Sequence, residues 1–106
     1  MPQFTHAEAD ALLPRVRPLL EDLKRRKQTY DERPSAPVAS EIEALLREVA
    51  ELGVEVKDIG SGLIDFRALR NGTEVYLCWR LGEGDRIVWW HTLEGGFRAR
   101  RQLVEN

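Results

Sequence analysis

The stretch Gly62–Thr92, GLIDFRALRNGTEVYLCWRLGEGDRIVWWHT, decides the fold of this chain of 106 residues. Apolar and polar residues alternate along most of it, which is typical of β-strands that have one buried face. Asn71-Gly72 is a strong hairpin signal, because both residues tolerate the positive φ angles of a type I′ turn. Gly82–Asp85 provides a second turn. The stretch therefore predicts three consecutive antiparallel strands.

The two turns predict which residues face each other across the sheet. A two-residue loop at the first turn aligns the apolar faces of its strands, with Phe66 opposite Leu77, Ile64 opposite Trp79 and Ala68 opposite Val75. A four-residue second turn pairs Leu77 with Trp90. The opposite face then carries three rows: Arg67, Tyr76 and His91; Asp65, Cys78 and Trp89; Leu63, Arg80 and Ile87. A second turn one residue longer or shorter exchanges Trp89 with Trp90 and removes His91 from this face.

The first half of the chain is predicted to form two helices. Thr5 and Glu8 form the two halves of a capping box, which marks the start of the first helix. Apolar residues at helical spacing run from there to Tyr30, and again from Val38 to Leu52. A polar loop that contains prolines separates the two runs, so we expect an antiparallel helical hairpin.

Two prolines interrupt the first helical run. Pro14 and Pro18 have no amide hydrogen, so each removes one backbone hydrogen bond, and each ring crowds the preceding turn. We therefore expect a kink or a break near Leu13, followed by a straight segment from Pro14 to Tyr30.

These elements predict an α+β fold, in which an antiparallel helical hairpin packs on a three- to four-stranded antiparallel β-meander. Val54–Asp58 alternates apolar with polar residues and is the candidate fourth strand. A chain of this length has room for a single core. We therefore expect one domain over residues 1–106, with the hairpin in 1–53, the sheet in 54–93 and an irregular tail in 94–106 that Phe97 anchors.

Composition excludes several classes of protein. Apolar residues make up 42% of the chain and charged residues 32%, which fits a globular domain and not a disordered one. No apolar run approaches the ~20 residues that span a bilayer, and the N-terminus lacks the pattern of a signal peptide. A single cysteine suits a reducing compartment. We therefore expect a cytoplasmic protein without a membrane partner.

Several short motifs follow one another in a recognisable order. They are Phe4-Thr5, Glu8-Ala9, Leu12-Leu13-Pro14, Arg17-Pro18-Leu19-Leu20, Leu52-Gly53-Val54-Glu55-Val56-Lys57-Asp58, Gly62-Leu63-Ile64-Asp65-Phe66, Leu77-Cys78-Trp79-Arg80-Leu81-Gly82-Glu83, Trp90-His91 and Gly96-Phe97. With these motifs the chain resembles the bacterial domain-of-unknown-function family 2203, over nearly its whole length outside residues 28–37.

The resemblance implies which positions are characteristic of the family, but it implies no activity. These positions are Trp79, Arg80, Trp90, His91, Phe97 and Arg100. In the tail, Ala99 and Gln102 stand where the family usually has glycine and proline, so the family's tail conformation is not expected to carry over unchanged.

The side chains best suited to bind a ligand or to transfer a proton surround His91. An imidazole beside the phenol of Tyr76 and the guanidinium of Arg67 can bind an anion or move a proton. The candidate site for an anionic small molecule consists of Arg67, Tyr76, Arg80, His91 and Arg100. The structural alternative is a half-buried histidine bonded to a neighbour, and it is favoured because a flat sheet face offers no pocket. No ligand identity follows from these residues.

The sequence predicts no catalytic residue, no metal site and no cofactor, so an enzyme is not favoured. Cys78 lies in mid-strand, away from any helix N-terminus or glycine-rich turn that would activate a thiolate, and we expect it to be a packing residue. The side chains that offer metal ligands have no recognised ligand spacing. They are His6, Asp58, Asp65, Glu74 and His91.

The predicted proportions favour self-association. Two helices cover one face of a three-stranded sheet, so the other face would expose a larger apolar patch than monomers usually leave in water. Besides Tyr76, this patch contains the candidate interface residues Leu63, Cys78, Ile87 and Trp89. We therefore expect a non-enzymatic interaction or scaffold protein that forms a homodimer.

Nucleic acid is a weaker candidate partner. Arg98, Arg100 and Arg101 near Phe97 combine positive charge with an aromatic group, as single-strand binding surfaces do. The whole chain has a net charge of −2 and 18 acidic residues, however, which argues against a polyanion as partner. A solvated tail is the preferred interpretation.

Overall fold

The structure is a computed structural model that describes residues 3–103. Its helices are α1 (His6–Glu32) and α2 (Ala36–Glu51). Its strands are β1 (Glu55–Asp58), β2 (Leu63–Arg70), β3 (Thr73–Arg80), β4 (Trp89–Thr92) and β5 (Arg101–Gln102), with a 3₁₀ helix, Phe97–Ala99, between β4 and β5. The strands form one antiparallel sheet in chain order. The predicted α+β fold is confirmed, with one strand more than expected; residues 104–106 of the predicted tail lie outside the described residues.

Helix α1 begins where the sequence predicts and does not break at its prolines. The Thr5 hydroxyl accepts from the Glu8 amide and the Glu8 carboxylate accepts from the Thr5 amide, which completes the capping box. The helix runs without interruption through Pro14 and Pro18, so of the expected kink or break near Leu13 the break is wrong. Both prolines lie on the exposed side of the helix, where water can reach the carbonyl groups that lose their partners.

Helix α2 follows a short loop and forms the predicted hairpin with α1. The Ser35 hydroxyl caps it by accepting from the Val38 amide at 3.3 Å. Gly53 follows its end with a φ of 84°, the left-handed conformation that glycine adopts readily after a helix.

The β2–β3 hairpin has the predicted register. Asn71 and Gly72 have φ angles of 53° and 78°, as a type I′ turn requires. Its cross-strand pairs in the hydrophobic core are Phe66 with Leu77, Ile64 with Trp79 and Ala68 with Val75. Their side chains face the helices, so this face of the sheet forms the floor of the core.

The register between β3 and β4 also matches the prediction, although the connection is longer than four residues. Leu77 pairs with Trp90, and Tyr76 pairs with His91. His91 therefore lies on the sheet face opposite the helices, which we call the outer face.

Ile87 does not lie on the outer face. Strand β4 begins only at Trp89, and the chain before it turns toward α1, where the Ile87 amide donates to Asp10 Oδ1 at 2.8 Å. Ile87 is fully buried in the core. The prediction that Ile87 shares a row with Leu63 and Arg80 on the outer face is therefore wrong, because a hydrogen bond to α1 replaces strand pairing at this point.

One hydrophobic core fills the space between the helices and the sheet. Helix α1 contributes five fully buried residues, which are Ala9, Leu13, Val16, Leu20 and Leu23. Helix α2 contributes Leu45 and Val49. The helices therefore cover one face of the sheet only, and they do not shield the outer face from water.

The tail provides this cover, contrary to the expectation of an irregular segment. Strand β5 pairs with β4, with Gln102 opposite Trp89 and Arg101 opposite Trp90. The Leu103 amide extends this contact by donating to the Val88 carbonyl at 2.8 Å. The 3₁₀ helix between the two strands lies beside the outer face, so the described part of the tail completes the fold.

Candidate functional site

A buried acid–imidazole pair lies at the centre of the outer face. Asp65 in β2 and His91 in β4 are only 2% and 3% exposed. The Nε2 atom of His91 lies 3.1 Å from Asp65 Oδ1 and 3.0 Å from Oδ2. The other ring nitrogen, Nδ1, lies 2.7 Å from the carbonyl oxygen of Thr92. Strand pairing thus brings together an acid and an imidazole that are 26 residues apart in the chain.

These contacts require a proton between the two side chains. The Thr92 carbonyl can only accept, so Nδ1 of His91 carries a hydrogen and donates it. An ionised carboxylate can also only accept, so the second contact needs a proton on Nε2 or on Asp65. Burial raises the pKa of Asp65, while the charge of His91 and its hydrogen bond act in the opposite direction. Asp65 and His91 therefore share one proton between their side chains.

Cys78 in β3 completes a group of three. One ligand atom from each of Asp65, Cys78 and His91 lies within 4.8 Å of the other two. Cys78 is fully buried, and burial together with the nearby charge of Asp65 raises the pKa of its thiol to about 12. These properties are the opposite of those that make a cysteine nucleophilic.

Arg100 ties the tail to the outer face beside Cys78. Its Nη1 atom lies 2.9 Å from Glu83 Oε2 and 3.9 Å from the Cys78 sulfur. The guanidinium lies 4.5 Å from the ring centroid of Trp89 and 4.2 Å from that of Phe97, distances typical of cation–π contacts. The ion pair with Glu83 and the contact with Trp89 join the tail to the rest of the chain, while the contact with Phe97 lies within the tail. Phe97 in turn contacts the sheet through Arg80, whose guanidinium lies 5.1 Å from its ring centroid.

A second polar cluster surrounds Glu55 in β1. Its carboxylate accepts from the Tyr76 hydroxyl at 2.9 Å, from Lys57 Nζ at 3.1 Å and from Arg67 Nε at 3.4 Å. Arg67 also donates to Glu74 at 3.4 Å. Burial opposes ionisation of Glu55, but the hydrogen bonds from Lys57 and Tyr76 outweigh it and lower the pKa of this carboxyl group.

A pocket of about 240 Å³ opens between the two polar clusters and the tail. Its lining combines polar groups with apolar walls and consists of Lys57, Leu63, Asp65, Tyr76, His91, Leu93, Gly96 and Phe97. The buried pair thus forms part of a concave surface that Lys57, Tyr76 and apolar side chains also line. Such a combination is typical of small-ligand sites.

The five candidate ligand-binding residues fall into two groups. Tyr76 and His91 line the pocket. The three arginines do not line it and are paired with carboxylates: Arg67 with Glu55 and Glu74, Arg80 with Glu83, and Arg100 with Glu83. The structure therefore brings the phenol and the imidazole together. The Arg67 guanidinium lies beside them, 5.6 Å from the Tyr76 ring centroid, whereas Arg80 and Arg100 pair with Glu83.

The four candidate interface residues also fall into two groups. Leu63 and Trp89 are partly exposed on the outer face. Cys78 and Ile87 are fully buried within the chain, Cys78 beside the Arg100 side chain and Ile87 in the core. The apolar patch expected on this face is thus mostly covered by the chain itself.

Sequence reasoning did not select Lys57 or Asp65 for the ligand site, or Glu83 as the partner of Arg100. A signal for Asp65 was present, since an acid in mid-strand on the same face as a histidine needs a buried partner. Nothing in the sequence pattern pointed to Lys57 or Glu83, because ion-pair partners depend on how the loops and the tail fold.

No helix within residues 3–103 is long and apolar enough to cross a membrane.

Comparison with known proteins gives a family and no further relatives. No curated protein and no solved structure matches the chain. A family model described as "Uncharacterized conserved protein (DUF2203)" matches residues 24–103. This match includes both strands of the buried pair and the tail that covers it, and the chain therefore belongs to the DUF2203 family.

Proposed function

We propose that this domain is a non-enzymatic binding protein that holds a small ligand in the pocket beside Asp65 and His91. The observation that carries the proposal is the buried acid–imidazole pair in the wall of the pocket. Removing titratable groups from water costs free energy even when they are paired, and apolar residues would serve packing alone equally well. Strongly desolvated, paired titratable groups in a cleft are typical of functional sites.

The lining favours a ligand that is partly apolar and carries an anionic group. Lys57 is the basic side chain that lines the pocket, and its Nζ atom lies 4.5 Å from the Tyr76 ring centroid. Its ammonium group donates one hydrogen to Glu55 at 3.1 Å and has two further hydrogens to offer to an anion. Leu63, Leu93 and Phe97 offer apolar contact. The volume of about 240 Å³ lies below the usual ~300–1,000 Å³ of sites for drug-sized molecules. A small carboxylic acid or a small phosphate ester fits these requirements.

A screen of small carboxylates and phosphates by thermal stabilisation tests this function. A ligand that binds only the native state raises the melting temperature in a concentration-dependent way. We expect at least one compound to bind with a Kd below about 1 mM. The Lys57→Met variant, which keeps the length of the side chain and removes its charge, should bind it at least about tenfold more weakly.

Lys24→Met is the matched control, because Lys24 is an exposed residue of α1 and does not line the pocket. It should bind the same compound as the wild-type chain does. A screen in which no compound stabilises the protein, or a hit that Lys24→Met weakens as much as Lys57→Met does, would contradict the proposal.

The interaction or scaffold role with a homodimer is the second candidate function. It is supported by three apolar side chains of the outer face and the tail that keep exposed surface, namely Leu63, Trp89 and Phe97, the last at 37%. Sedimentation velocity at tens of micromolar tests it. A dimer that Trp89→Asp dissociates would support this role, whereas a strict monomer would exclude it.

A further inference from the structure

We propose that Asp65, Cys78 and His91 form a binding site for one divalent transition-metal ion, with Zn²⁺ as the ion that their ligand chemistry fits best. The three side chains offer a carboxylate oxygen, a sulfur and an imidazole nitrogen within 4.8 Å of one another. All three side chains are buried. The inference rests on the proposed function only for the ligand that would complete the coordination.

The orientation of His91 is that of a metal ligand. Its Nδ1 hydrogen is donated to the Thr92 carbonyl at 2.7 Å, an arrangement that metal-binding histidines usually have, because it fixes the ring and leaves Nε2 free to coordinate. Nε2 faces the two oxygens of Asp65. Two such acceptors face each other stably only when a proton or a metal ion lies between them.

The distances fit a metal ion after local side-chain movement. Zinc lies about 2.0–2.2 Å from nitrogen and oxygen ligands and about 2.3 Å from sulfur, so tetrahedral ligands are about 3.3–3.6 Å apart. The Nε2 atom of His91 is 3.0–3.1 Å from the oxygens of Asp65, and the three ligand atoms lie within 4.8 Å of one another. Asp65 and His91 therefore have to separate by a few tenths of an ångström, and the Cys78 sulfur has to approach by up to about 1 Å.

The charges also balance. Binding releases two protons to water, one from the Cys78 thiol and one from between Asp65 and His91. A divalent cation bound by one carboxylate, one thiolate and one neutral imidazole then has no net charge, which suits a buried site. The Arg100 guanidinium, 3.9 Å from the Cys78 sulfur, can donate to the thiolate, and Glu83 neutralises Arg100 at 2.9 Å. Both residues would act as supporting partners around the ligands.

The ligand types select the ion. A thiolate is a poor ligand for Mg²⁺ and Ca²⁺, which prefer oxygen, whereas zinc accepts sulfur, nitrogen and oxygen together. Three protein ligands leave a fourth tetrahedral position, as in zinc sites that bind water or an external ligand. Asp65 and His91 line the pocket, so this position would face it.

Titration of the chelator-stripped, tag-free chain with Zn²⁺ and Co²⁺ tests the inference. Calorimetry should give one Zn²⁺ per chain, and Co²⁺ should develop a thiolate-to-metal absorption band together with the intense visible bands of tetrahedral coordination. Azide should shift the visible bands, since an open position accepts an external ligand. If neither ion binds the wild-type chain more tightly than about 0.1 mM, or if Co²⁺ binds without a thiolate band, the inference is overturned.

Variants identify the ligands. Cys78→Ser should abolish the thiolate band, and His91→Asn should lower the Zn²⁺ affinity at least about tenfold. His6→Asn makes the same change at the other histidine, which lies at the start of α1, and should leave the affinity unchanged. Equal losses at His6 and His91 would place the ion elsewhere and overturn the assignment. The wild-type spectrum itself reports the thiolate, so the test does not depend on every variant folding.

The same variants separate this inference from the proposed function. Lys57→Met should weaken binding of the pocket ligand and leave the affinity for Zn²⁺ unchanged, because Lys57 is not one of the three ligands. A pocket ligand that binds while Zn²⁺ does not would overturn the metal site alone. Zn²⁺ binding without any pocket ligand would overturn the proposed function alone.

Discussion

At the scale of single residues, the outer face is built from charged groups that all have partners. Asp65 is matched by His91, Glu55 by Tyr76 and Lys57, and Arg100 by Glu83. No buried side-chain nitrogen or oxygen within the described residues lacks a hydrogen bond. The Asp65–His91 pair differs from the others because it is almost completely removed from water, so its loss should affect stability most.

Asp65→Ala is expected to lower the free energy of unfolding by about 3–5 kcal/mol, because it leaves the buried imidazole of His91 without its partner. Urea denaturation in the presence of a chelator measures this loss without any contribution from metal ions. Asp85→Ala is the control: Asp85 pairs with Arg17, but its side chain is 92% exposed, and the expected loss is less than about 1 kcal/mol. Equal losses in the two variants would contradict a special role for the buried pair.

Part of this site was predictable from the sequence. The hairpin register placed Tyr76 and His91 side by side, and it placed Asp65 and Cys78 in the neighbouring row, because a period of two determines which side chains share a face. The partners of the arginines were not predictable. An arginine side chain is long enough to reach several carboxylates, and the choice depends on loop positions that the strand pattern does not describe.

At the scale of elements, the strands follow the sequence pattern closely, while α1 and the tail differ from it. The β2–β3 hairpin is a local structure whose turn residues and alternation agree, so it was predicted correctly. Pro14 indicated a break in α1, but a proline interrupts a helix less when it lies on the solvent side. Strand β5 depends on the free edge of β4, a long-range contact that leaves no signal in the tail itself.

Pro14→Ala should raise the free energy of unfolding by about 1–2 kcal/mol, since alanine restores a helical hydrogen bond and the loss of proline's restraint on the unfolded chain offsets only part of the gain. Chemical denaturation measures the change. Pro34→Ala is the control, because Pro34 lies in the exposed loop between α1 and α2, and it should give no such gain. A stability that does not increase in Pro14→Ala would indicate that α1 breaks at this position in solution.

The tail is expected to protect Cys78 from chemical modification. The thiol is fully buried and has a pKa of about 12, so a thiol-specific disulfide reagent should label the native chain slowly. Replacing both Phe97 and Arg100 by alanine removes the contacts that hold the tail down, and labelling should become at least about tenfold faster. Arg98→Ala, which changes an exposed residue of the same segment, should label at the wild-type rate.

Rapid labelling of Cys78 in the wild-type chain would contradict this protection. An unchanged rate in the Phe97→Ala, Arg100→Ala variant would show that the tail does not cover the thiol. Circular dichroism of both variants confirms that the helices are retained, so that faster labelling reports opening of the tail and not global unfolding.

At the scale of the whole molecule, the chain covers both faces of its own sheet. The domain measures 48 × 25 × 24 Å, with the two helices on one face and the tail with Phe97 and Arg100 beside the other. The sequence suggested that a second copy would cover the outer face, and the homodimer stays a prediction. The tail takes over most of this covering within one chain and leaves the pocket beside His91 as the concave part of the outer face.

The most direct test of the central claim, that this pocket is the binding site, is amide chemical-shift mapping of the full chain with the best compound from the ligand screen. Binding in this pocket should give saturable shifts concentrated at Lys57, Tyr76, His91, Leu93 and Gly96, and these shifts should be lost in Lys57→Met. Shifts that centre on the helical hairpin, or that scatter over the surface without saturating, would contradict this claim.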